Sequence, residues 1–165
     1  GPGGHTIGID MTPAMVECAR MAADQAGMTD RVEVHQGFYE DLPVANASVD
    51  VVISNGVLNL APDKRQVLGE ISRVLKPGGR LYLADVVVQR ELSAEARSNP
   101  DLWAACVAGA LVEDELVMLA NECGLAEGRV MQRFNCFYDT TAEAKVAKDL
   151  FIQSVNFYAR KVADA

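Results

Sequence analysis

The sequence predicts an α/β fold in which a mostly parallel, doubly wound sheet ends in an antiparallel hairpin. Up to residue 88, short apolar runs alternate with segments whose apolar residues recur at helical spacing, which is typical of parallel strands joined by helices. Residues 49–54 form a mostly apolar run, as expected for a strand that is covered on both faces. Two further strand-like segments, residues 128–138 and 151–161, flank a short helical pattern at 141–149 and are expected to form the hairpin.

The four strands of the parallel part are each predicted from local pattern. The first ends in an acid, Asp10, and the second alternates Val32 and Val34 with polar residues. The third and fourth are apolar, and right-handed crossovers between such strands make a doubly wound sheet the economical arrangement. The predicted strands are residues 5–10, 31–36, 49–54 and 80–88.

The helix boundaries follow from capping residues and helix breakers. Thr12 is expected to cap the first helix, with Pro13 at its first position and Gly27 at its end. Asp63 is expected to cap the second helix, which stops at the Lys-Pro-Gly-Gly of residues 76–79 because proline cannot continue it. Two more helices are predicted at residues 99–109 and 113–123.

Length and charge limit the classes of protein and partner. The 165 residues suit a single domain spanning 1–165, and no apolar run approaches the roughly 20 residues that cross a bilayer. A net charge of −8 without a basic stripe argues against nucleic acid and favours a small-molecule ligand. The N-terminal residues lack the pattern of a signal peptide, so a cytoplasmic location is expected. The four cysteines form no CxxC pair, so reduced thiols and no metal site are expected.

Four local patterns occur in a fixed order along the chain. They are Ile-Gly-Ile-Asp-Met-Thr-Pro at 7–13, Gly-Phe-Tyr-Glu-Asp-Leu-Pro at 37–43, Val-Asp-Val-Val-Ile-Ser-Asn-Gly-Val-Leu-Asn-Leu at 49–60, and Leu-Lys-Pro-Gly-Gly-Arg-Leu at 75–81. Together they resemble the class I S-adenosylmethionine-dependent methyltransferases, whose sheet is Rossmann-like. Within that superfamily the sequence is most similar to arsenite methyltransferases, with the ubiquinone/menaquinone biosynthesis type next. The Trp-Ala-Ala-Cys-Val-Ala-Gly-Ala of residues 103–110 adds to the arsenite-type likeness.

The resemblance implies cofactor-binding roles for residues that follow the first two strands. Asp10 would accept hydrogen bonds from the ribose hydroxyls, and the alternative is that it belongs to the cap of the next helix. Met11 would lie against adenine, and the alternative is an ordinary core methionine. Gly37 matches the family, but Phe38 stands where the family usually has an acid. An aromatic side chain stacks on adenine without accepting its amino hydrogen bond, and the alternative is a buried hydrophobe.

The resemblance also implies an acceptor side at the end of the third strand. Asn55 would contact the methionyl part of the cofactor, and Asn59 and Gly56 would border the acceptor; the alternative is an ordinary polar turn. Arsenite-type enzymes have a cysteine at the position of Gly56, and a second of their cysteines matches Cys106. One thiol cannot chelate arsenic, so a buried helix residue is the equal alternative for Cys106. No catalytic residue is assigned, because alignment of nucleophile and methyl group supplies much of the acceleration.

The main departure from the family concerns its first strand. Class I methyltransferases carry an acid and several glycines after that strand, and this sequence has no such loop; its Gly-Pro-Gly-Gly start matches the turn into the second strand. The first strand normally lies between those ending at Asp10 and Ser54, so both edges are expected to be unpaired. The two strands could pair directly, or a second copy of the chain could cover the edges, and a homo-oligomer is expected. Weak or absent binding of S-adenosylmethionine is also expected.

The leading functional hypothesis is methyl transfer to a small-molecule acceptor. The ancestral acceptor would be of the arsenite type, and the activity is expected to be impaired in this chain. A non-catalytic methyltransferase remnant that acts as an oligomerising scaffold is the alternative. The third hypothesis is a nicotinamide-dependent enzyme, in which an acid at the position of Asp10 would also bind the cofactor. The terminal hairpin and the Lys-Pro-Gly-Gly turn count against this hypothesis.

Overall fold

A computed structural model describes residues 3–134 and 152–163. The helices and strands in this part of the chain, in order, are β1 (Thr6–Asp10), α1 (Pro13–Gln25), β2 (Val32–Gln36), β3 (Val49–Asn55), a 3-10 turn (Leu58–Leu60), α2 (Lys64–Val74), β4 (Leu75–Val88), α3 (Ala94–Arg97), α4 (Pro100–Ala104), β5 (Leu111–Val112), α5 (Glu113–Glu122), β6 (Leu125–Phe134) and β7 (Ile152–Lys161).

These strands form two sheets, and the chain divides into two compact units, Gly1–Ala45 and Asn46–Ala165. The first unit contains the two-stranded sheet β1–β2, and the second contains a five-stranded sheet with the order β3–β4–β7–β6 and β5 beside β4. The expectation of one domain over the whole chain stays a prediction.

In the first unit, β1 and β2 are parallel and end together, with Asp10 opposite Gln36. Helix α1 connects them and buries Val16 and Ala23. Thr12 occupies the cap position as predicted, but its side chain makes no capping bond. The Thr12 N–H instead donates to Oδ1 of Asp10 at 2.8 Å, so the acid two residues earlier performs part of the capping.

The second unit is built around β4, which runs parallel to β3 and β5 and antiparallel to β7. Alternate residues of β4 point into the core, where Leu81 and Leu83 lie opposite Ala159 and Phe157. All four are at most 2 % exposed, and α2 adds the buried Leu68. The predicted antiparallel hairpin is confirmed as β6–β7, and β7 joins it to β4. The predicted helix at 141–149 and the last residues of the predicted strand 128–138 lie outside the described residues.

Helix α2 begins as the sequence predicts, because Oδ1 of Asp63 accepts the Gln66 N–H at 2.9 Å. Helix α2 ends at Val74, and the Lys-Pro-Gly-Gly segment, residues 76–79, lies near the start of β4. There the register with β3 shifts between Val49 and Val51, and Gly78 takes a φ of +75°. These residues therefore act as a bulge that leads from the helix into the sheet.

The helix predicted at residues 99–109 begins where it was predicted to begin, but it is shorter than predicted. Asn99 Oδ1 accepts the N–H groups of Asp101 and Leu102, but α4 stops at Ala104. Cys106 then takes a left-handed φ of +59°, which a continuing helix does not allow.

The prediction that β3 is covered on both faces is wrong within the second unit. Val51 is 36 % exposed and Ile53 is 79 % exposed. In the described residues β3 pairs with β4 alone and is an edge strand, so the backbone groups along its other edge have no strand partner in this unit. Separately, none of the described helices is long and apolar enough to cross a membrane.

Candidate functional site

Asp10 ends β1 at the carboxyl edge of the first unit's sheet, where open α/β sheets bind ligands. Its Oδ1 accepts the Thr12 N–H, and the Asp10 carbonyl accepts the Gly37 N–H at 3.1 Å. A carboxylate offers about four acceptor sites, so the helix-capping bond leaves capacity for hydroxyl donors. Capping and ligand binding are thus compatible uses of the same side chain.

Two apolar side chains on either side of this edge are exposed. Met11 is 51 % exposed and Phe38 is 60 % exposed. The alternatives that made Met11 a core residue and Phe38 a buried hydrophobe are therefore wrong for the first unit. Each follows the end of one of two adjacent parallel strands, so the edge presents a carboxylate with an apolar side chain after each strand. Such a set matches a nucleoside, which has a flat apolar base and a sugar with two hydroxyls.

Gly37 keeps this edge compact. A Cβ at residue 37 would lie 3.0 Å from Cδ of Pro43 and 3.4 Å from Cγ2 of Ile9. Only glycine fits here without a shift of these neighbours, so the glycine of the motif has a packing reason.

In the second unit, Asn55 is the last residue of β3 and Gly56 begins the turn that follows. Asn55 is exposed and lies opposite Ala84 of β4. The Gly56 N–H donates to the Ala84 carbonyl at 2.8 Å, and Gly56 has a φ of +67° with open space where a Cβ would be. Because a left-handed conformation favours glycine, the absence of a side chain here also suits the backbone.

The structure brings Cys106 to this turn, although the two positions are 50 residues apart. Its Sγ lies 3.9 Å from the Gly56 carbonyl oxygen. Burial raises the pKa of the Cys106 thiol, and the negative charge of Asp85 raises it further. At neutral pH the thiol is therefore protonated and unreactive compared with an activated cysteine.

Asn59 is buried rather than facing solvent, with only 2 % exposure. Its Nδ2 donates to the carbonyls of Val86 at 2.7 Å and Cys106 at 3.1 Å. Both hydrogens of the amide are thus used within the protein. The structure gives Asn59 internal partners, and its predicted contact with an acceptor stays a prediction.

Asp85 is a buried acid that the sequence analysis missed. It is 6 % exposed, and its carboxylate accepts the N–H groups of Asn59 at 3.1 Å and Val86 at 2.8 Å. Burial raises the pKa of Asp85, against the opposing effects of these hydrogen bonds and of Lys64. A single acid within the apolar run of β4 was the available signal, because an unpaired buried charge is costly and needs a reason.

Lys64 lies near this acid and was also missed. Burial lowers the pKa of Lys64, while Asp85 acts in the opposite direction. Its Nζ donates to the Ala61 carbonyl at 3.0 Å and lies 5.8 Å from the centre of the Trp103 ring. At the start of a helix, a lysine carries no sequence signal that separates it from an ordinary surface charge.

The two histidines and the other cysteines were not assigned to a site. His35 contacts Glu33 at 3.2 Å on the surface, and His5 lies 3.9 Å from the same acid. Cys18 and Cys123 are free thiols, and Cys136 is outside the described residues. Within the described ranges, no group of three or more His, Cys, Asp or Glu is arranged to hold a metal ion.

Comparison with known proteins places these features in a family. Residues 1–135 match the family described as "Methyltransferase domain". An arsenite methyltransferase of Halobacterium salinarum is 45 % identical over 126 residues, which are 75 % of this chain and 32 % of that protein. The human arsenite methyltransferase is 42 % identical over 139 residues, 79 % of this chain and 37 % of that protein. The chain thus spans about a third of the length of these curated relatives.

Solved structures agree in fold. CrArsM, an arsenic(III) S-adenosylmethionine methyltransferase from Chlamydomonas reinhardtii, superposes with a TM-score of 0.79 at 34 % identity, covering 98 % of this chain and 56 % of that one. A geranyl diphosphate methyltransferase in complex with SAM superposes with a TM-score of 0.76 at 17 % identity, covering 97 % of this chain and 70 % of that one, and shows the fold alone. The chain therefore belongs to the class I S-adenosylmethionine-dependent methyltransferases.

Proposed function

We propose that the protein containing this chain transfers a methyl group from S-adenosylmethionine to a small-molecule acceptor, and that the acceptor is of the arsenite type. The part of this proposal that concerns the cofactor rests on the carboxyl edge of β1 and β2, where Asp10 lies with the exposed Met11 and Phe38. The relatives named arsenite methyltransferases support the acceptor half.

The residues of the first unit fit the adenosine part of the cofactor. The Asp10 carboxylate accepts hydrogen bonds from the ribose hydroxyls, and Met11 and Phe38 provide apolar surface for adenine. Phe38 accepts no hydrogen bond from the adenine amino group, so it supplies less specificity than an acid would. S-adenosylmethionine, when bound, supplies a methyl group on a positively charged sulfur that is a good leaving group.

The second unit provides the acceptor side. Asn55 is the exposed polar side chain at the end of β3 and is assigned to the methionyl part of the cofactor. Cys106 and Gly56 meet at the same turn, and the Cys106 thiol is a soft ligand for a soft acceptor such as trivalent arsenic. Since Gly56 brings no second thiol, we expect the chain to hold arsenic through one sulfur only, and methyl transfer by these 165 residues to be impaired.

Binding of the cofactor is best tested by a method that detects weak complexes. In saturation-transfer NMR with S-adenosylmethionine, the adenine and ribose protons should receive saturation from the chain. Asp10→Ala should abolish this transfer, whereas Asp24→Ala, an exposed acid on α1, should not. Absence of transfer to these protons in the parent chain would contradict the adenosine role of this edge, and micromolar affinity by calorimetry would contradict the expected weak binding.

The acceptor is tested separately, by incubating the chain with S-adenosylmethionine, arsenite and a thiol reductant and separating the arsenic species by chromatography with elemental detection. Slow formation of methylated arsenic that is lost in Cys106→Ser supports the proposal. Methylation that persists in Cys106→Ser would show that this thiol does not hold the acceptor.

A scaffold that self-associates is the second candidate, because the edge strand β3 exposes Val51 and Ile53. Long apolar edges pair with other chains unless they are protected. We expect a dimer or larger assembly by native mass spectrometry, and Ile53→Lys should shift it towards monomer. A parent chain that is monomeric at micromolar concentration would exclude this candidate.

A further inference from the structure

The side chain of Asn59 joins three separate segments of the second unit. Its backbone belongs to the 3-10 turn Leu58–Leu60, and its amide donates to Val86 of β4 and to Cys106 after α4. Cys106 is 47 residues from Asn59 in sequence, so this hydrogen bond is a tertiary contact. A buried amide with all of its donors satisfied fixes geometry in a way that an apolar side chain cannot.

The segment after α4 fits against Asn59 very closely. A Cβ at residue 109 would lie 1.9 Å from the Asn59 carbonyl oxygen, so Gly109 allows backbone to touch backbone there. Cys106 itself is held in a left-handed conformation that non-glycine residues avoid unless their surroundings determine it. The Asn59 amide on the Cys106 carbonyl, together with the contact at Gly109, supplies those surroundings.

Asp85 holds the 3-10 turn in place. Its Oδ2 accepts the Asn59 N–H and its Oδ1 accepts the Val86 N–H, so one carboxylate connects the turn to β4. The resulting chain of contacts runs from Asp85 through Asn59 to Cys106, and it ends with the Cys106 thiol beside Gly56.

We propose that Asn59 and Asp85 are positioning residues that set the orientation of the Cys106 thiol towards the turn at Gly56. Asp85 fixes the backbone of Asn59, and the Asn59 amide fixes the backbone of Cys106. The part of this inference that makes the thiol face an acceptor rests on the proposed function; the part that concerns the orientation of the thiol does not.

The test measures the reactivity of individual cysteines in the full chain without cofactor or acceptor. Iodoacetamide alkylation is followed by peptide mapping, and Cys123 serves as the internal reference, because it is likewise partly buried and its Sγ lies 3.5 Å from the Arg65 carbonyl. In Asn59→Ala we expect Cys106 to react about fivefold to tenfold faster, the change that loss of the hydrogen bond from the Asn59 amide to the Cys106 carbonyl produces in an opening equilibrium. Cys123 should change by less than about twofold.

The matched control is Asn46→Ala, which removes an exposed amide whose oxygen accepts from Arg73 at 2.6 Å. It should leave both cysteines unchanged. A Cys106 rate in Asn59→Ala equal to that of the parent would overturn the proposal. Equal acceleration of Cys106 and Cys123 would also overturn it, because it would show general loosening of the unit rather than release of one thiol.

The alkylation assay and the arsenite methylation assay together separate this inference from the proposed function. Selective acceleration of Cys106 in a chain that methylates nothing would support positioning and count against the enzyme. Methylation that survives Asn59→Ala with no change at Cys106 would overturn the positioning role and leave the enzyme standing.

Discussion

Substitution of Gly109 by alanine should strongly destabilise the second unit. A Cβ there would lie 1.9 Å from the Asn59 carbonyl oxygen and 3.0 Å from Cζ3 of Trp103. To reach an ordinary carbon–oxygen contact of about 3.3 Å, the two backbones must separate by about 1.4 Å. Because Asp85 and Val86 hold Asn59, that movement strains or breaks their hydrogen bonds. Overpacking costs about 1–3 kcal/mol and a lost hydrogen bond costs about 1 kcal/mol, so the free energy of unfolding should fall by roughly 3 kcal/mol.

Urea unfolding followed by tryptophan fluorescence measures this change directly. Trp103 is the single tryptophan of the chain and lies in the second unit, against the substituted residue. Stability falls by about 1–3 kcal/mol per molar of urea, so a loss of roughly 3 kcal/mol should lower the midpoint by about 1–3 M.

Gly69→Ala is the matched control for this substitution. Gly69 lies inside α2, where a Cβ meets nothing within 4 Å, so alanine should raise stability by about 0.5–1 kcal/mol through its better helix propensity. A Gly109→Ala chain as stable as the parent would refute the close approach of residue 109 to Asn59.

Three further predictions concern the charges, the thiols and the helix cap. Asp85→Asn removes the carboxylate that helps to raise the pKa of Cys106, so the pH profile of Cys106 alkylation should move to lower pH; the profile of Cys123, whose pKa Asp85 does not affect, should stay in place. Gly56→Cys adds a thiol next to Cys106, and mass spectrometry should show capture of an aryl arsenoxide with loss of two titratable thiols, unlike Gly56→Ser; equal capture by both variants would exclude a thiol pair. Asp63→Ala removes the acceptor of the Gln66 N–H and should cost about 1 kcal/mol in urea unfolding, and an unchanged midpoint would show that the cap is dispensable.

Local chemistry allowed several features of the fold to be predicted from the sequence. The cap at Asp63 and the end of α1 before Gly27, which has a φ of +63°, depend on neighbouring residues only. The antiparallel pairing of β6 with β7 was also predicted, because strands close in sequence pair readily. The motif that contains Asp10 was identified for the same reason, since it combines a strand end with the following helix start.

Other features depend on residues that are distant in sequence. The end of α4 was predicted wrongly because residues 105–110 include three alanines, which favour a helix, and the contacts of Cys106 and Gly109 with Asn59 override that propensity. An unpaired edge was expected for this strand, but the exposure of Ile53 was missed because an apolar run does not reveal how fully each face of a strand is covered.

The order of strands and helices, the acid after the first strand and the family were determined by the sequence itself, because they are written in short, contiguous patterns. The contact between Cys106 and Gly56 and the buried Asp85–Asn59 network were decided only by the tertiary structure. Each joins segments that lie 26 to 50 residues apart in the chain. No local propensity encodes such a contact; it arises when the packed core brings those segments together and buries polar groups that must then find partners.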